Sequence, residues 1–188
     1  MRSNTKKITL SAFFLALALA LPFLTGQIPQ VGSMLCPMHI PILLCGFVCG
    51  WQYGAIVGFI APLLRSVCFG MPPIFPTATC MAFELAAYGL MAGLAYKLFP
   101  KKKFLLYPEL LVSMIVGRLV WGLVMFVCLS ATSAKFTFAA FLSGAVLNAI
   151  PGIVLQILII PPLVSVINDR VYADDINDRK SRQNRSKQ

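Results

Sequence analysis

The sequence predicts an all-α integral membrane protein, a compact bundle of six transmembrane helices with both termini in the cytoplasm. Three observations carry that expectation. Of 188 residues, 59% are hydrophobic and 12% charged, too little polar surface to cover a soluble domain, although bundled helices can turn apolar side chains toward acyl chains. The apolar residues gather into six runs, each measured against the roughly 20 residues that cross a hydrocarbon core. The basic residues lie almost entirely beside one set of run ends, as positive charge retained on the cytoplasmic side requires.

The first run covers about residues 8–24 and follows Lys6 and Lys7. Its basic start and small residues imitate a cleaved signal peptide. Its removal would leave five helices and divide the basic residues between the two membrane faces. Residues 25–37 (TGQIPQVGSMLCP) carry no charge and read as an external loop. The second run, residues 38–50, is short and meets the third, about 51–68, through a tight uncharged turn. The proline-rich GMPPIFP precedes a fourth run at about 77–98. The fifth covers about 104–129 and the sixth about 136–167, longer than one crossing. Pro151 is expected to kink the sixth, and Pro161-Pro162 to end its straight part. The expected division is a membrane-embedded domain, residues 1–167, and a polar cytoplasmic tail, 168–188, disordered in part.

The net charge of +10 points to topology rather than to nucleic acid, because of where the charges sit. Arg2, Lys6, Lys7, Lys97, Lys101, Lys102, Lys103 and six basic residues of the tail fall on one face when six helices are counted. Lys135 alone falls on the other, and Arg65 and Arg118 lie inside spans. The six cysteines are scattered without CxxC pairing, which argues against a metal site and for apolar packing. No cofactor is expected.

Polar groups inside spans are costly and mark function or internal pairing. His39, Arg65, Glu84, Arg118 and Asn148 are the candidates, on five different helices. At 1.5 Å per residue, Arg65 lies about 5 Å, Glu84 about 10 Å, and Arg118 and Asn148 about 15 to 18 Å below the outer boundary. His39 also lies toward the outside. This distribution suits a cavity open outward. One carboxylate facing two guanidinium groups leaves a positive surplus, and hence an expectation of an acidic ligand. The bland reading is that Glu84 pairs with one arginine, Arg65 snorkels to the headgroups and His39 caps its helix. Phe69, Met71 and Phe75 are candidates for the walls and lid of the cavity, or for interfacial anchors. Ala12, Ala16 and Ala20 line one face of the first helix as a groove for close helix contact, and Gly46, Gly50, Gly54, Gly58, Gly89 and Gly93 continue the small-residue theme.

The length, the six helices, SAFFLALALA with Ala12 and Ala16, and the lysine loop before the fifth helix together resemble the substrate-binding S component of an energy-coupling factor (ECF) transporter, over about residues 7–167. The resemblance implies high-affinity capture of a vitamin or related micronutrient from outside. It further implies docking, through Ala12 and Ala16, onto a transmembrane T component driven by two ATPases. The loops at 25–37 and 70–76 would gate the pocket, and the whole component would reorient in the bacterial plasma membrane. PMHIPILLCGFVCGW and GMPPIFPT resemble members associated with pantothenate, in keeping with the arginine surplus.

Other classes fit less well. An intramembrane enzyme lacks support, with one histidine and neither HExxH nor GxSxG. ATP dependence would have to come from a partner, because GxxxxGK[ST] does not occur. An autonomous secondary transporter would show repeated halves. The alternative that stands is a small structural or assembly subunit with no ligand of its own.

Overall fold

The computed structural model of the chain describes residues 4–24, 36–99, 103–131 and 150–185. These form α1 (Asn4–Leu24), α2 (His39–Cys49), α3 (Trp51–Phe69), α4 (Thr79–Leu98), α5 (Leu106–Ala131) and α6 (Ile150–Arg185), with no strand among the described residues. Five of the helices are long and apolar enough to cross a bilayer, α6 through its stretch Ile150–Ile167. The chain is a multi-pass membrane protein. α2 has only 11 residues, about 16 Å of helix, roughly half of a hydrocarbon core. It has no need to match the bilayer, because nine of those 11 residues are buried by its neighbours.

Contacts fix which helix ends lie together. α2 and α3 meet at Gly50, whose φ of 104° reverses the chain in one residue and suits only glycine. Cys45, near the close of α2, lies 3.7 Å from Ser11 in α1, so the start of α1 is at the same end. α4 finishes there too, since a Cβ on Gly93 would strike the backbone of Trp51. Lys6, Lys7 and Lys97 therefore share one end of the bundle. At the other end Phe23 of α1 meets Phe69 of α3, with ring centroids 5.0 Å apart.

The seam between α3 and α4 is made of backbone. A Cβ on Gly54 would lie 2.6 Å from the Gly89 carbonyl oxygen, and one on Gly58 would strike the Leu85 carbonyl. Small residues let the two helices approach until their main chains touch, and each added side chain would push them apart. α4 thus presents Gly89 and Gly93 to α2 and α3. Its other face carries Glu84 and Tyr88 toward α5 and the first residue of α2. The apolar core gathers around α2, with Ile42, Leu43 and Phe47 joined by Leu85 and Ala92, by Leu106, Leu110 and Met114 of α5, and by Ile160 and Val164 of α6. Leu111, Ile115, Leu119 and Leu123, four apart on α5, stay exposed as an apolar face for lipid.

One boundary shifts. The fourth helix proper begins at Thr79, after an irregular turn at residues 74–78 in which Phe75 has an extended backbone. The Thr79 hydroxyl donates to the Ile74 carbonyl (2.9 Å) and the Ala78 N–H to that of Pro73 (2.9 Å), tying the turn to α4. Phe69, Met71 and Phe75 are exposed around it. In addition, α6 runs through Pro161-Pro162 and on to Arg185. Adjacent prolines remove two neighbouring N–H donors from one turn, a local loss that a helix held by its neighbours survives.

Candidate functional site

Four side chains converge toward the end of the bundle away from Lys6, Lys7 and Lys97. Glu84 of α4 is 2% exposed, and its Oε1 accepts from Nη1 of Arg118 on α5 at 2.8 Å. Nε2 of His39, the first residue of α2, approaches the same oxygen at 3.5 Å. The second terminal nitrogen of Arg118 donates to Sγ of Cys36 at 3.5 Å. A carboxylate so deeply buried needs a countercharge and hydrogen bonds, and Arg118, itself 17% exposed, supplies both.

The chain is shaped locally to make this arrangement. Cys36 has a φ of 47°, uncommon outside glycine, and the His39 N–H returns to its carbonyl at 3.0 Å. This turn places both side chains before Arg118 and Glu84. Burial pushes the Cys36 thiol above its ordinary pKa, with Arg118 opposing, so Arg118 meets a neutral sulfur. The His39 ring stands edge-on to Tyr88, one turn beyond Glu84, with centroids 5.1 Å apart. Gly117 leaves room for the Tyr88 ring, since a Cβ there would come within 2.8 Å of it.

Arg65 is elsewhere. Counted from Gly58, which abuts Leu85, it lies about 10 Å further toward the outer end. Its Nη1 donates to the Leu19 carbonyl at 2.9 Å, and its guanidinium stands over the rings of Phe23 (5.2 Å) and Phe69 (5.5 Å). Although only 5% exposed, it meets a carbonyl and two π faces rather than Glu84. The structure therefore brings together His39, Glu84 and Arg118 and leaves Arg65 apart, while Asn148 lies outside the described residues. Ala12, Ala16 and Ala20 are exposed on α1, whose buried stripe is Ser11, Phe14, Ala18 and Pro22. Among the described residues no group of His, Cys, Asp or Glu could hold a metal ion.

The family described as "ECF transporter, substrate-specific component" matches residues 6–164. The chain belongs to this family. Neither among curated proteins nor among solved structures is there a significant match. An ECF substrate-specific component is a transporter subunit and not an enzyme class, consistent with a multi-pass chain in the bacterial cell membrane. Several residues of this ECF component's polar cluster escape sequence reasoning. Cys36, read as a packing residue, contacts Arg118, and the Tyr88 ring lies between His39 and Gly117. The spacing of Glu84 and Tyr88, one helical turn, was the available signal for Tyr88. For Gln156, a buried amide in the apolar run of α6, the signal was its isolation among aliphatic residues.

Proposed function

We propose that the chain captures a small vitamin-like micronutrient from the outer side of the membrane, at the cluster of His39, Glu84 and Arg118. The observation that carries this reading is the Glu84–Arg118 pair, 2.8 Å apart and shared with His39 across three helices. Charge so deep in a bundle is retained where it has work to do. The side follows from the lysines, which occupy the opposite end and belong in the cytoplasm. Delivery would proceed through a transmembrane T component and two ATPases, with Ala12, Ala16 and Ala20 as the exposed docking face. Asn148 belongs to the proposed pocket by depth alone.

The expectation of an acid, pantothenate among them, depends on two arginines facing one carboxylate. With Arg65 engaged by Leu19 and two aromatic rings, the cluster holds one cation and one anion, which removes the local surplus. Arg65 remains a candidate only as an outer wall of the pocket. The alternative, a structural subunit without a ligand, is favoured by the same pair, because Glu84 and Arg118 satisfy each other.

A thermal-shift screen of the purified chain against vitamins and their precursors separates the two, since a ligand raises stability by RT ln(1 + [L]/Kd). Capture predicts a stabiliser whose effect Arg118→Ala abolishes. A folded chain that no member of a broad panel stabilises would favour the structural subunit.

A further inference from the structure

The cluster is balanced in charge but incomplete in hydrogen bonds. Among the described residues, Nδ1 of His39, Nε of Arg118 and Oε1 of Gln156 are buried without a partner. A fourth orphan, Oε2 of Glu109, stands near the start of α5, nine residues or about 13 Å from Arg118 toward the lysine end. It therefore belongs to another place. Unpaired buried polar atoms are rare, and two of them in one buried ion-pair cluster, with a third at the same height on another helix, call for a common partner.

Gln156 sits at the right height and on the right face. Gly152, Gln156, Ile160 and Val164 are buried at four-residue spacing, and the last two join the core with Leu110 and Met114 of α5. With the basic tail at the lysine end, α6 runs inward, and Gln156 lies about 16 Å from Ile167 at 1.5 Å per residue. Arg118 lies about 18 Å from Leu106 by the same measure. The two side chains thus occupy one layer, each on its helix's core-facing stripe.

Resting on the capture reading above, we infer that Gln156 is a further ligand-binding residue. The ligand engages it, Arg118 and His39 through an uncharged group that presents a donor beside an acceptor, such as an amide or the edge of an aminated heterocycle. The Arg118 Nε–H requires an acceptor and Oε1 of Gln156 requires a donor. A carboxylate supplies acceptors alone and would join Glu84 as a second anion around a single guanidinium.

Matched pairs of micronutrients that differ only in this group provide the test. Pantothenate against pantothenamide, nicotinate against nicotinamide, and biotin against biotin amide are titrated into the full-length chain in detergent, with Tm and calorimetric Kd as readouts. In any pair that binds, the neutral member is expected to bind at least tenfold more tightly, and Gln156→Leu to weaken it at least tenfold while Ile160→Val leaves it unchanged. If Gln156→Leu does not fold, Gln156→Asn, one methylene shorter, is expected to give the same loss. An acid that binds more tightly than its neutral counterpart would overturn the inference and leave the capture reading standing. Neutral binding indifferent to both Gln156 variants would remove Gln156 from the site. No stabilisation by either series would overturn capture and the inference together.

Discussion

The two faces of α4 are built on opposite principles. Toward α3 and the close of α2 it offers Gly89 and Gly93, so that backbone meets backbone. Toward α5 and the first residue of α2 it offers Glu84 and Tyr88, and the contact is made by a charged pair, the imidazole edge of His39 and orphaned polar atoms. In a membrane, close packing of small residues supplies association without charge, whereas buried charge supplies recognition at a cost in stability. One side of the helix is scaffold and the other is site.

This contrast can be broken most severely at the scaffold. Gly89→Leu would place a side chain inside the α3 backbone, and overpacking costs about 1–3 kcal/mol or more where main chain must move. The expected result is loss of monodisperse protein in detergent, with Gly89→Ala intermediate. Next comes the charged face. Arg118→Ala strands Glu84 and should cost about 3–5 kcal/mol, read as a lower Tm. Combining Glu84→Leu with Arg118→Met should recover most of that Tm, because apolar replacement of a buried pair is often neutral, yet abolish ligand binding. Recovery of binding as well would show the pair to be scaffold after all.

Smaller effects sharpen the boundary between site and surroundings. Arg65→Gln loses its cation–π contacts and weakens the tie to Leu19, about 1–2 kcal/mol together, and should lower Tm by a few degrees while changing ligand Kd less than threefold. A tenfold loss would return Arg65 to the pocket. Ala16→Leu should alter neither Tm nor Kd, because Ala16 is exposed. It should abolish co-purification with the T component, and retained assembly would move the docking face elsewhere.

Much of this architecture was legible in the sequence, because hydrophobic length and lysine placement are set by the bilayer itself. Gly54, Gly58, Gly89 and Gly93 announced close packing, although which helices they joined required the fold. The site was legible by residue type. His39, Glu84 and Arg118 stood out because ionisable groups are expensive in spans, but the side of its helix that Arg65 faces was not readable from depth alone. Cys36 and Gln156 were missed for a related reason. A thiol or an amide in an apolar run costs too little to attract notice, and only its neighbours reveal what it touches.

The shortness of α2 bears on how the chain enters the membrane during synthesis. At about 16 Å it cannot bridge the hydrocarbon core unaided, and His39 at its first position adds a polar burden that Glu84 relieves only once α4 has been made. With Gly50 as a one-residue reversal, α2 and α3 should insert as a hairpin. A nascent chain cut after Gly50 is therefore expected to leave Cys45 and Cys49 open to a water-soluble thiol reagent, and one cut after Phe69 to protect them.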